Sequence, residues 1–381
     1  MSPYAPYSAA EQRAVRAALA DVHVTLPTRP GAPAPDLPAR PFGAGLGSHV
    51  VLGFLPSWEI AAAATVDYAA LSEVAYYAVV VRSGGRLLRS GQGWDDLVNG
   101  DVAPVVSAAH AAGTRVLLTV SSVSESVLAR LAADPASGRR LAGTVAQLMR
   151  ADGFDGVDLD LEGQLASARA GFVRFMAAFS SRLRALEPST TIVLNTLPQS
   201  AVDEEGFFDV RALAPFVDQF FVMAYDMSDL RSPGPTAPLV GAELCDASSL
   251  ASYVATVPAS KVILGIPFYG YDFTLSRSGR AAGTVGEPEA VSYDQVLAAG
   301  RPAAWDPSTE TPYISFRDKG RWHETWYDNP LSVALKVALA AAFRTAGVGA
   351  WELGMASGQD EMTVLLDGGS PPLRPGGAPA S

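Results

Sequence analysis

Residues 152 to 163 read DGFDGVDLDLEG, and three carboxylates, Asp158, Asp160 and Glu162, recur there at every second position. Successive side chains of a strand face opposite ways, so these acids share one face while Val157, Leu159 and Leu161 share the other. A row of acids along an otherwise apolar strand is costly to bury and asks for a function.

Outward from this segment the chain keeps one rhythm. Short apolar runs rich in β-branched and aromatic residues lie at 50 to 56, 73 to 81, 115 to 121, 154 to 162, 191 to 197, 217 to 225, 261 to 269 and 347 to 353. Segments of helical period, such as 137 to 151, 165 to 186 and 331 to 346, separate most of them, which is the pattern of repeated βα units. Eight such strands predict an α/β fold, a closed (β/α)8 barrel of the TIM type. An open doubly wound sheet would place a glycine-rich phosphate turn after its first strand, and GFLPSW (53 to 58) is not one. Residues 270 to 329, crowded with aromatics and turn formers, are too long for a plain connection and read as a small subdomain inserted between strands 7 and 8. Before the barrel, which is expected over 48 to 365, residues 1 to 47 read as a short helix (8 to 22) and a Pro/Gly-rich tether. Residues 366 to 381 read as a tail of the same composition.

Composition narrows the function. Hydrophobic residues make up 49% and charged residues 18% of 381, enough for a large buried core, and the net charge is −11 with no Lys/Arg cluster. Nucleic acid and anionic membranes are therefore poor partners. The single cysteine, Cys245, excludes an intrachain disulfide and a cysteine-based zinc site. The four histidines show no metal-ligand spacing, and neither a Ser-His-Asp set nor a phosphate loop is present. No basic region followed by an apolar run opens the chain, so a signal peptide is not visible and a cytoplasmic location stays open.

On a barrel, the fourth strand would send Asp158, Asp160 and Glu162 inward, with Glu162 last, at the carboxyl-end mouth where such folds carry their chemistry. Like-charge repulsion from Asp160 would raise the Glu162 pKa and keep it protonated, which suits a general acid. The same three acids could instead hold Ca²⁺ or Mg²⁺ through oxygen ligands.

The spacing Asp155-x-x-Asp158-x-Asp160-x-Glu162 resembles the signature of glycoside hydrolase family 18, the chitinase family. The resemblance extends over roughly 48 to 365, through GFLPSW in the first strand, VMAYDM in the sixth, LGIPFYG in the seventh and GAWEL in the eighth. It implies that Glu162 protonates the glycosidic oxygen, that Asp160 orients the substrate acetamido group, and that Asp158 modulates Asp160. Tyr225 would hydrogen-bond the acetamido carbonyl, Met223, Asp226 and Tyr269 would line the subsite, and Trp351 would be the floor under the sugar. The implied reaction is retaining and substrate-assisted, through an oxazolinium intermediate, without cofactor or metal. Taken alone, Met223 reads as packing, Trp351 as core filling, and Tyr225-Asp226 as a turn cap. Of the insertion aromatics Tyr269, Tyr271, Trp305, Trp322 and Trp326, most are expected in that subdomain's own core.

Three departures from the family pattern shape the expected substrate. Ser121-Ser122-Val123-Ser124 stands where Ser-x-Gly-Gly is common, Leu161 precedes the acid where an aromatic is frequent, and Gly163-Gln164 follows it. These argue against long crystalline chitin. The resemblance leans toward the bacterial cell-wall and spore-associated branch, with an oligo- or polysaccharide of 2-acetamido sugars as partner, a secreted or cell-envelope location, and a monomer. The alternative is a chitinase-like carbohydrate-binding protein of weak or no activity, a class that typically lacks the acid.

Overall fold

The computed structural model describes residues 26–34, 49–228, 230–278, 282–356 and 362. Eight parallel strands, Val50–Pro56, Glu73–Arg82, Arg115–Ser122, Gly156–Leu161, Thr191–Thr196, Gln219–Val222, Val262–Pro267 and Gly347–Trp351, follow the eight apolar runs. Each pairs with the next, and the eighth pairs with the first in the register Gly347↔Val50, so the barrel is closed. The fourth to eighth strands each stop one to three residues before the apolar runs do. Glu162 lies one residue past its strand, and after Val222 the backbone folds back on itself, with the Tyr225 N–H donating to the Met223 carbonyl and Asp226 left-handed at φ 54°.

Helices Pro135–Asp152 and Arg169–Leu186 show how the outer layer forms. The second sends Phe172, Phe175 and Phe179 inward at helical spacing, all fully buried, each contributing about 1.5–3 kcal/mol. The first comes close enough that a Cβ on Gly138 would lie 2.6 Å from the Phe175 carbonyl oxygen; Gly138→Ala would force these helices apart. No helix among the described residues is long and apolar enough to cross a membrane.

The barrel interior is layered. At its amino end the buried Glu73 carboxylate takes the Arg115 guanidinium. Leu52, Phe54, Ala75, Leu117, Val193, Phe221 and Ile263 fill the middle. Asp155, the first acid of the signature, is not at the mouth; it accepts from the Val116 N–H and bonds His110 Nε2, both at 2.8 Å, clamping strands 3 and 4 at their starts.

The long connection folds as an antiparallel sheet of Tyr269–Leu275, Glu289–Ser292, Ala304–Asp306, Thr311–Asp318 and Arg321–Trp326. Phe273, Leu275, Ala282, Tyr313 and Trp326 form its core, with Tyr271 and Trp322 packed against them, while Trp305 joins the main core. Within the segment expected as an extended tether, Ala32–Pro33 pairs with Trp305 and Ala304 at the edge of this sheet, because its unpaired backbone groups complete that edge. The helix expected over 8 to 22 and the tail over 366 to 381 lie outside the described residues.

Behind the barrel the fully buried Lys336, on helix Pro330–Ala342, donates to the Ala237 carbonyl at 2.6 Å and to Asp246 at 2.7 Å, and pairs with Asp328 at 3.3 Å. This charged knot ties the end of the insertion to the start of helix Asp246–Thr256.

Candidate active site

Strand register builds the acidic centre. Thr119 and Ser121 on strand 3 lie level with Asp158 and Asp160 on strand 4, so each hydroxyl meets the acid beside it. Thr119 Oγ1 donates to Asp158 Oδ2 at 3.0 Å and Ser121 Oγ to Asp160 Oδ2 at 3.1 Å. From strand 5, Asn195 Nδ2 reaches both, at 3.3 Å from Asp158 Oδ2 and 3.4 Å from Asp160 Oδ1. From strand 2, the Tyr77 hydroxyl donates to Asp160 Oδ2 at 2.8 Å.

Both aspartates are buried, Asp158 completely, and burial followed by the charge of Asp160 pushes the Asp158 carboxyl well above the carboxylate range. Asp160 is also raised by burial but held back by the hydrogen bonds from Tyr77, Asn195 and Ser121. Two adjacent buried carboxyls cannot both be anions cheaply, so burial and mutual repulsion favour a proton held by the pair.

Glu162 is half-buried above them, and its pKa is pushed from the ordinary 4.5 to about 7. The larger cause is burial, with the charges of Asp160 and then Asp226 adding to it. Charge repulsion, the cause named from sequence, is thus the lesser one. At neutral pH an appreciable fraction of Glu162 is a carboxylic acid facing the mouth.

Tyr225 converges on the same point. Burial first, then the charges of Asp160, Glu162 and Asp226, push its hydroxyl well above 10, so it stays a proton donor amid three carboxyl groups. Asp226 takes two hydrogen bonds on Oδ1, from Tyr269 at 2.8 Å and Tyr271 at 3.1 Å. Tyr269 is buried and its hydroxyl is engaged in holding Asp226, while Met223 packs into the top of the interior cluster. Trp351, half-buried at the end of strand 8, meets Tyr77 edge-on at 4.8 Å and Phe54 at 5.5 Å. Tyr77 in turn meets Trp58 edge-on at 5.8 Å, and Trp58 is 54% exposed at the rim. The mouth thus has an aromatic side and an acidic side, with Tyr77 belonging to both.

Sequence reasoning missed Tyr77, Asn195 and Thr119 as parts of the site and gave Ser121 only as a departure from a pattern. Their partners are 35 to 83 residues away, and no local signal marks them. Their inward parity on strands 2, 3 and 5 was the one available clue. Glu352, next to Trp351, was also missed: it is buried, accepts from the Gly354 N–H at 2.9 Å, and is raised to about 7 by burial. Among the described residues no group of three or more His, Cys, Asp or Glu is placed to hold a metal ion.

Glu162, the Tyr225 phenol and the rings of Trp351 and Tyr77 thus meet at the carboxyl-end mouth of a closed barrel. The chain matches the model of glycosyl hydrolases family 18 over residues 44–356 and belongs to that family, whose members act on N-acetylglucosamine polymers. It is 26% identical over 239 residues to a putative sporulation-specific glycosylase, YdhD, of Bacillus subtilis, covering 62% of this chain and 56% of that protein. It therefore spans little more than half the length of that relative. It is 24% identical over 277 residues to di-N-acetylchitobiase of Mus musculus, 64% of this chain and 71% of that one. In fold it is similar to a family 18 chitinase from Cycas revoluta solved with (GlcNAc)3, with a TM-score of 0.74, 21% identity, and coverage of 84% of this chain and 99% of that one.

Proposed function

We propose that this chain hydrolyses β-linked N-acetylglucosamine glycans with retention of configuration, the substrate's own acetamido group serving as nucleophile. The observation that supports the reading is that Glu162, Asp160 and the Tyr225 hydroxyl lie close enough at the mouth to feel one another's charge, with Glu162 raised to about 7. Glu162 gives its proton to the glycosidic oxygen as the C1–O bond breaks. The acetamido carbonyl oxygen closes on C1 to form an oxazolinium ion, with Tyr225 donating to that oxygen and Asp160 accepting from the acetamido N–H. Water then attacks C1 from the face the leaving group vacated, giving its proton to Glu162 and restoring the acid. Asp158 keeps its proton beside Asp160, so Asp160 can carry the negative charge that steadies the ring. Trp351 supports the sugar above the interior cluster.

The similarity to a sporulation glycosylase and the departures at Leu161, Gly163 and Gln164 favour cell-wall glycan over crystalline chitin as substrate. The test is hydrolysis of chitooligosaccharides, purified peptidoglycan, an N-glycopeptide and a glucan without acetamido groups by the wild type and by Glu162→Gln. Cleavage of an acetamido substrate by the wild type alone, at a rate at least about 10²-fold above the variant, is the expected result. Cleavage of the glucan alone would refute substrate assistance, and binding without cleavage would make the chain a lectin.

A further inference from the structure

The inserted sheet has a second face, turned away from the mouth. Tyr269 and Tyr271, on strand Tyr269–Leu275, reach Asp226 in the site, so Asp272, the next residue along, points the other way. Strand register sets Thr325 and Ile314 level with Asp272, and in the neighbouring row it sets Phe316 beside His323. Between this face and helix Tyr293–Ala298 lies a cavity of about 90 Å³, with Val296 on the helix side and Ala299 just past the helix end. A space of that size takes one substituent or one unit, not a strand of polymer.

The cavity carries one anion and one cation on opposite sides. Arg301 leads into strand Ala304–Asp306, which strands Thr311–Asp318 and Arg321–Trp326 separate from the strand of Asp272, and both charged residues line the space. Asp272 is fixed in place: Oδ1 accepts from Thr325 at 2.9 Å and Oδ2 bonds His323 Nδ1 at 2.8 Å. Each carboxylate oxygen keeps a second site for a donor. The Arg301 guanidinium lies over the Phe316 ring at 3.5 Å, and among the described residues nothing accepts from its N–H groups. Between the two charges the wall is apolar, from Val291, Val296 and Ile314.

We infer that this cavity binds the acetamido group of a glycan, as a second carbohydrate site that performs no chemistry. Asp272 accepts from the acetamido N–H, Arg301 donates to its carbonyl, and the methyl rests against Val296 and Ile314. A carboxylate in the same place would meet Asp272, and an ammonium would meet Arg301. A neutral group with a donor and an acceptor meets neither repulsion and supplies the acceptor that Arg301 lacks. A polymer held here and at the mouth is retained by both sites, while an oligosaccharide too short to reach both engages one at a time. The inference rests on the reading of the substrate as an acetamido glycan, not on the roles given to the catalytic groups.

Two variants test this at exposed positions outside the mouth: Ala299→Trp fills the cavity, and Arg301→Leu removes the donor. Each is measured in two backgrounds. With Glu162→Gln added to stop turnover, adsorption isotherms are recorded on purified peptidoglycan, colloidal chitin and cellulose. With Glu162 intact, kcat/KM is measured on soluble N-acetylchitotriose. Each variant should bind the two acetamido polymers about 5- to 10-fold more weakly, with adsorption to cellulose unchanged and kcat/KM on the trisaccharide within about 2-fold of the wild type. Unchanged adsorption to both acetamido polymers, or an equal loss on cellulose, overturns the inference. A parallel fall in kcat/KM on the trisaccharide overturns it too, because the residues would then be acting on the mouth. N-acetylalanine methylamide displacing the protein from chitin more readily than N-acetylglucosamine would make the cavity a peptide site instead. If the wild type cleaves no trisaccharide while both variants still lose adsorption, the catalytic reading falls and this inference stands.

Discussion

Glu162→Gln keeps the shape of the side chain and removes its ability to ionise, which isolates what the proton contributes to stability. The folded carboxyl titrates at about 7 against an ordinary 4.5, raised by burial and then by Asp160 and Asp226. A raised acid binds its proton more tightly in the folded state. Its stabilising contribution is therefore full below about pH 4.5 and is lost as the pH rises through about 7. At about 1.36 kcal/mol per pH unit between the two values, the ceiling is on the order of 3 kcal/mol, and water at the half-buried mouth lowers it toward about 1–2 kcal/mol. Relative to pH 4, where the two proteins should match within about 0.5 kcal/mol, the variant should be the more stable at pH 8 by about 1–2 kcal/mol, or a few °C in Tm. Urea unfolding of both proteins at pH 4, 6 and 8 measures this directly. A variant that is no more stable than the wild type at pH 8, or equally shifted at all three, would refute the account of what raises the acid. The outcome also bears on function, because the destabilised ionised state is the one the reaction passes through.

Three further predictions follow from the same geometry. kcat/KM on a soluble acetylated chitooligosaccharide should fall about tenfold per pH unit above about 7 as Glu162 loses its proton; an alkaline limb beginning above pH 9 would assign the acid elsewhere. Tyr77→Phe removes one of the hydrogen bonds on Asp160 and should lower kcat about 10- to 100-fold with KM changed far less, and steady-state kinetics that show the reverse split would make Tyr77 a binding residue instead. Lys336→Met leaves Asp246 and Asp328 buried without their cation and should cost about 3–5 kcal/mol in denaturant unfolding, most of it recovered when both aspartates are changed to Asn as well.

The barrel was legible because its determinants are local. Each strand is a short apolar run, each helix a 3.6-residue period, and the alternation of Asp158, Asp160 and Glu162 fixes which way the fourth strand faces. What stayed hidden is what the closed barrel brings together across sequence. Tyr77 is 83 residues from the carboxylate it serves, and nothing near it distinguishes it from Tyr76, which faces outward and bonds Asp96 at 2.6 Å. The cause of the Glu162 shift was misjudged for a related reason: spacing reveals a neighbouring charge, but burial depends on loops whose course only the fold shows. Asp155 makes the same point from the opposite end, since membership in one short motif does not place a residue at one end of a strand.

The insertion leaves and rejoins the barrel as a single antiparallel pair, Tyr271 opposite Trp326, and its far hairpin turns over Lys319 and Gly320, both with positive φ. Chain that enters and exits through adjacent rungs is closed at its base, so its length beyond that base costs the barrel little additional entropy. The Lys319–Gly320 tip, two residues between Asp318 and its partner Arg321, is therefore a natural port. A fluorophore, an affinity peptide or a separate folded module spliced there would travel with the barrel while Glu162, Tyr225 and Trp351 keep their places.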